Sequence, residues 1–143
     1  MGSTCETVVS GVLSQDRKSC RAVVYAHHML DTESRSEAEF DVTLDLTGLP
    51  KGPLVVREYR FDKDNNSYFR LGRKVREQRP PSGATTVPAA AARDVEKLAR
   101  LRATRVTWPR ADNGGRLSLT VRVAANGANF LVIKPPTPLH LPF

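Results

Sequence analysis

Apolar residues in this chain fall mostly at every second position. The clearest stretch is EFDVTLDL at 39–46, where Phe40, Val42, Leu44 and Leu46 alternate with Asp41, Thr43 and Asp45. A period of two belongs to a strand with one dry face and one wet face. RLSLTVRV at 116–123 repeats the pattern through Leu117, Leu119, Val121 and Val123. TVVSGVL (7–13) and CRAVVYAHHM (20–29) flank the polar SQDRKS. That arrangement predicts a hairpin turning near Asp16, with Leu13 opposite Cys20. LVVREYRF (54–61), TRVTW (104–108) and FLVIK (130–134) bring the expectation to about seven strands. TGLPKGP (47–53), ADNGG (111–115) and AANGAN (124–129) are turns, because Gly, Asn and Pro reverse a chain cheaply.

Between 62 and 104 the pattern changes. SYFRLGRKVREQR (67–79) is basic and helix-like, and PPSGATTVP (80–88) cannot continue a helix. AAAARDVEKLARLRA (89–103) is rich in strong helix formers, with Val95, Leu98 and Leu101 at spacings of three. Alternating strands bury only half a core each, so two dry faces must cover one another. The expected fold is therefore mainly β: an antiparallel β-sandwich of about seven strands with one or two short inserted helices. Residues 1–6 read as a tail and 7–134 as the sandwich, with the helical insertion at about 67–103. PPTPLHLPF (135–143) reads as a proline-rich extension.

Composition narrows the classes. At 143 residues the chain suits one domain. No apolar run approaches the roughly 20 residues of a membrane helix, and the first residues show no signal-peptide pattern. Cys5 and Cys20 sit at opposite ends of the predicted hairpin and are expected as free thiols. His27, His28 and His140 form no metal spacing with them, and His27 and His28 point to opposite faces of their strand. No cofactor motif occurs. The net charge is +7, and residues 57–110 hold 14 Lys/Arg against 6 Asp/Glu. A basic middle segment is either a solvated surface or a partner face.

Catalytic arrangements are missing from the pattern. Asp62 and Asp64 are separated by Lys63 in a polar turn, where carboxylates reverse chains. Neither G-x-S-x-G nor a phosphate-cradling glycine loop is present. Asn65-Asn66-Ser67 matches the N-glycosylation triplet, so Asn65 would be an acceptor if the chain is secreted.

LTGLPKGPLVVREYRFDKDNNSYFRLGR (46–73) resembles the C-terminal β-sandwich of family 39 glycoside hydrolases, the β-xylosidases and α-L-iduronidases. Gly48-Leu49-Pro50 matches their turn, Tyr59 and Asp62 their strand end, and Asn66-Ser67-Tyr68 their Asn-x-Tyr element. DVEKLARLRA (94–103) and GGRLSLTVRV (114–123) follow in the family's order. The segment between Asp62 and Tyr68 is about a residue shorter than the β-xylosidase pattern. The family's two catalytic glutamates lie on a barrel of about 250 residues, for which this chain has no room. The resemblance implies a non-catalytic accessory sandwich packing on a separate barrel, with Asp62, Asn66, Tyr68, Arg70, Arg73 and Trp108 as barrel or carbohydrate contacts. Two alternatives stay open. A free-standing carbohydrate-binding module would stack sugars on Tyr68 and Trp108. A polyanion binder would use the Arg-rich middle, although the aromatic interleaving of nucleic-acid readers is lacking and no nucleic-acid partner is expected.

Overall fold

The computed structural model describes residues 7–16, 18–28, 38–77 and 89–138. Strands β1 (Thr7–Gln15) and β2 (Cys20–His28) are followed by β3 (Glu39–Leu46), β4 (Gly52–Pro53) and β5 (Val55–Phe61). Helices α1 (Phe69–Glu77) and α2 (Ala89–Leu98) interrupt the strands, which resume as β6 (Arg105–Thr107), β7 (Arg110–Ala111), β8 (Leu117–Ala124) and β9 (Ala128–Lys134). One sheet has five strands in the order β1-β2-β9-β5-β6; β3 pairs with β8, and β4 with β7. Every pairing is antiparallel. This is the expected β-sandwich, with two extra strands of two residues each in the Gly- and Pro-rich turns that show no alternation.

The β1–β2 register corrects one expectation. Gln15, not Leu13, lies opposite Cys20, and Leu13 faces Ala22. The cause is the tightness of the turn. Asp16 Oδ1 accepts the backbone N–H of Lys18 at 2.7 Å and of Ser19 at 2.6 Å, so the reversal takes only residues 16–19. Those bonds hold the Asp16 carboxyl below the usual carboxylate range. Cys20 is a free, fully buried thiol whose burial raises its pKa. Cys5 and His140 lie outside the described residues, as do the tail at 1–6, the PPSGATTVP breaker and the last five residues of the proline-rich extension.

The core lies where β8 rests against β2 and β9. Cys20, Ala22, Val24 and Ala26 of β2 meet Leu131 and Ile133 of β9, Val56 of β5, and Val121 and Val123 of β8. Phe40, Val42 and Leu44 of β3 pack against this cluster half-buried, which is what their alternation predicts. Gly115 closes the top. Its φ is 71°, and a Cβ there would stand 2.4 Å from the carbonyl oxygen of Leu49. Only glycine permits that approach, and with it the 3.0 Å bond from Leu49 N–H to Gly115 O.

Helix α2 stops at Leu98, short of the predicted 103. The reason is downstream pairing: residues 102–104 are drawn back onto β5. The Arg102 N–H donates to Asn66 Oδ1, and the Thr104 N–H to Glu58 O. Val95, Leu98 and Leu101, spaced for a dry helical face, are all exposed.

Candidate functional site

The most densely bonded polar region lies where β5 ends and the helical excursion leaves and returns. Asp62 Oδ1 accepts the backbone N–H of Asp64 and of Asn65, each at 2.8 Å, and so turns the chain. The Asn65 side-chain amide donates to both Asp62 oxygens, at 2.8 and 3.0 Å, so a glycan on that nitrogen would displace one of these bonds. Asn66 adopts a left-handed φ of 46°, which Asn tolerates better than most residues. Its amide nitrogen donates to Arg60 O at 2.8 Å and Arg102 O at 2.9 Å, and its oxygen accepts the Arg102 N–H at 3.0 Å. One side chain thus ties the end of β5 to the returning strand. Arg70 is ion-paired with Asp64, and Arg73 with Glu77 at 3.1 Å. Tyr68 is exposed at the entrance to α1.

Asp62, Asn66 and Arg70 are therefore gathered at one turn, with Tyr68 and Arg73 on the adjoining helical segment. Trp108 is not. Thr107 pairs with Val56 at the start of β5, which puts Trp108 at the opposite end of the strand, roughly 20 Å from Asp62 at about 3.3 Å per residue. Trp108 is 71% exposed.

Behind the turn is a charged frame that strand periodicity alone did not reveal. Glu58 and Arg60 share their β5 face with Val56 and point inward. Glu58 is 5% exposed and Asn129 1%. Glu58 Oε1 accepts from Asn129 Nδ2 at 2.6 Å, and Oε2 lies 3.7 Å from Arg105 Nε. Arg60 reaches Glu39 at 2.9 Å and Asp62 at 3.2 Å. Burial alone would lower the Arg60 pKa; the Glu39 hydrogen bond and the neighbouring carboxylates outweigh it and raise it. Arg122 holds Asp41 at 2.9 Å, which keeps that carboxyl below its usual range. The available signal was the parity of VVREYRF. Its more apolar set, Val55, Tyr59 and Phe61, is offset by one residue from the set that the sandwich buries.

Charge is partitioned with the topology. Residues 69–105 carry ten Lys/Arg and three Asp/Glu; the rest of the chain carries twelve of each, so the excursion accounts for the whole net charge of +7. On the outer face of the large sheet, Tyr25 and Phe61 flank Ala128 in one ladder row. With His27, Asn126 and Gly127 they line an open hollow of about 430 Å³. No local sequence pattern marks this aromatic pair, since Tyr25 and Phe61 come together only through β9. Among the described residues no group of three His, Cys, Asp or Glu is placed to hold a metal ion. No described helix is long and apolar enough to cross a membrane.

The protein is thus an antiparallel sandwich with a basic helical excursion between two neighbouring strands. Solved structures of glycosidases contain a similar fold. A GH39 enzyme of Xanthomonas axonopodis pv. citri superposes with a TM-score of 0.63 at 11% identity, over 88% of this chain and 26% of its own. A bacterial orthologue of human α-L-iduronidase gives 0.65 at 13% identity, over 92% and 22%. A monomeric β-xylosidase of Caulobacter crescentus gives 0.56 at 18% identity, over 89% and 26%. The chain spans about a quarter of the length of these enzymes. The resemblance read from the motifs therefore holds at the level of fold. No protein-family model and no curated protein matches the sequence.

Proposed function

We propose that this chain is a non-catalytic accessory sandwich of a family 39-like glycoside hydrolase, packing against and supporting a separate catalytic barrel. The observation that carries this reading is the fold likeness, which covers nearly all of this chain but only about a quarter of each enzyme. Retaining chemistry needs two carboxyl groups about 5 Å apart facing one sugar bond. The acids around the β5 turn are instead committed to chain reversal and ion pairs. The excursion supplies the docking chemistry: exposed Val95, Leu98 and Leu101 beside Arg93, Lys97, Arg100 and Arg102 suit an acidic surface with apolar patches. Sedimentation of the 143-residue chain with the barrel portion of the iduronidase orthologue tests this, with that enzyme's own sandwich as the positive control. The expected result is association that weakens as salt rises, and no turnover of aryl glycosides by the chain alone. Association that ignores salt removes the electrostatic part; no association, or turnover by the chain alone, overturns the reading.

The outer-face hollow favours a second reading, a carbohydrate-binding module. Tyr25 and Phe61 offer aromatic surface on either side of a small-residue floor, the arrangement on which a sugar ring stacks. Titration with xylan and dermatan-type oligosaccharides separates the two. Binding abolished by Phe61→Ala supports the module; no binding discards it.

A further inference from the structure

We infer that the free edge of β1 pairs antiparallel with β1 of a second copy of this chain, joining two five-stranded sheets into one. The inference does not depend on the glycosidase reading. An open strand edge offers unpaired backbone N–H and C=O groups, and monomers blunt such edges with charges, prolines or shortness. The other edges here do so. β6 has three residues, begins at Arg105 and is followed by Pro109. β3 carries Glu39, Asp41 and Asp45, and β8 carries Arg122. β4 and β7 are two residues each. β1 is nine residues long, TVVSGVLSQ, with no charge and no proline, and among the described residues it pairs only with β2. Val12 is 68% exposed and its neighbour Leu13, on the opposite face, 50%.

Charge selects a second copy as the occupant. Antiparallel self-pairing brings each strand's charges against their own duplicates. On β3 that would oppose acids to acids; on β1 there is nothing to repel. Gly11 is the midpoint of Thr7–Gln15, so a two-fold axis there sets Val12 opposite position 10 and Leu13 opposite position 9 of the partner strand. The sheet order then matters. β1 is at one edge of the five strands, and the excursion that bears the +7 charge hangs from β5 and β6 at the other. In the joined sheet the two β6 strands stand roughly 40 Å apart at about 4.8 Å per strand. That is several Debye lengths at physiological salt, so the basic lobes do not oppose the pairing.

Sedimentation velocity of the 143-residue chain over a range of concentrations tests the inference. The expected result is a monomer–dimer equilibrium that does not weaken with salt. Val12→Lys and Val12→Glu alter an exposed side chain, so circular dichroism should be unchanged. Each alone should weaken dimerisation at least tenfold, and an equimolar mixture should restore it, because like charges across the axis repel and opposite ones attract. Val106→Lys, on the β6 edge, should leave the dimer intact. A chain that stays monomeric at about 200 μM, or a dimer that Val12→Lys leaves unchanged, overturns the inference.

Discussion

Asn129 donates its side-chain amide to the buried carboxylate of Glu58 at 2.6 Å, inside a sandwich whose other inward residues are almost all apolar. The same amide nitrogen reaches Arg122 O at 3.0 Å. The pair links β9 to β5 through side chains as well as through the ladder. Replacing Asn129 with Ala removes the hydrogen-bond donor from a buried carboxylate, and should destabilise the fold by about 2–4 kcal/mol. Urea unfolding measures the loss. Glu58→Gln, which keeps an acceptor for Asn129, should cost less.

Asn66 has two separable roles: a left-handed backbone and a side chain bonded to Arg60 and Arg102. Asn66→Gly keeps the first and discards the second. The expected loss is about 1–2 kcal/mol, with faster amide exchange at Arg102. Asn66→Ala should cost more, because it adds strain at positive φ. Equal losses in the two variants would mean that backbone strain contributes nothing.

Gly115→Ala tests the closure between the turn after β3 and the turn before β8. Its Cβ would collide with the Leu49 backbone, which no rotamer change relieves. Destabilisation of about 2–4 kcal/mol is expected in thermal or urea unfolding. Gly72→Ala is the control: a Cβ there meets nothing within 4 Å, and alanine favours helix, so stability should hold or rise.

Acid should loosen the protein through two exposed carboxyls. Asp16 is held down by the backbone N–H groups of Lys18 and Ser19, and Asp41 by the hydrogen bond from Arg122. Both titrate lower folded than unfolded. Their stabilisation is therefore present above the unfolded pKa near 4 and is lost as pH falls through the folded values. Denaturation midpoints taken below pH 4 should drop less in Asp16→Asn and Asp41→Asn than in the parent chain.

Much of the architecture was legible because β3 and β8 alternate cleanly, each turning one face to the core while pairing with the other. β5 was harder. It lies between β9 and β6, and on one face it accepts Glu58 and Arg60 because Asn129, Glu39 and Asp62 satisfy them; no local pattern announces Glu39 or Asn129, which are 21 and 71 residues away. The C-terminal limit of α2 failed for a similar reason. Leu101 sits at helical spacing, yet Asn66 captures Arg102 and pulls the chain straight. The chain reversal at Asp62 followed from its residue type, whereas the Arg70–Asp64 pair and the bonds from Asn66 to Arg102 did not. The separation of Trp108 from them followed only from the β5–β6 register.

Because β5 and β6 are ladder neighbours, residues 62–104 form a detour that starts and finishes at the same place. Asn66 and Thr104 fasten its two ends, and the apolar interior does not depend on its length. Such a side branch can gain, lose or exchange residues while the body beneath keeps its shape, so variation among descendants of this chain should accumulate there first. A protease cut inside it should leave two fragments that remain together.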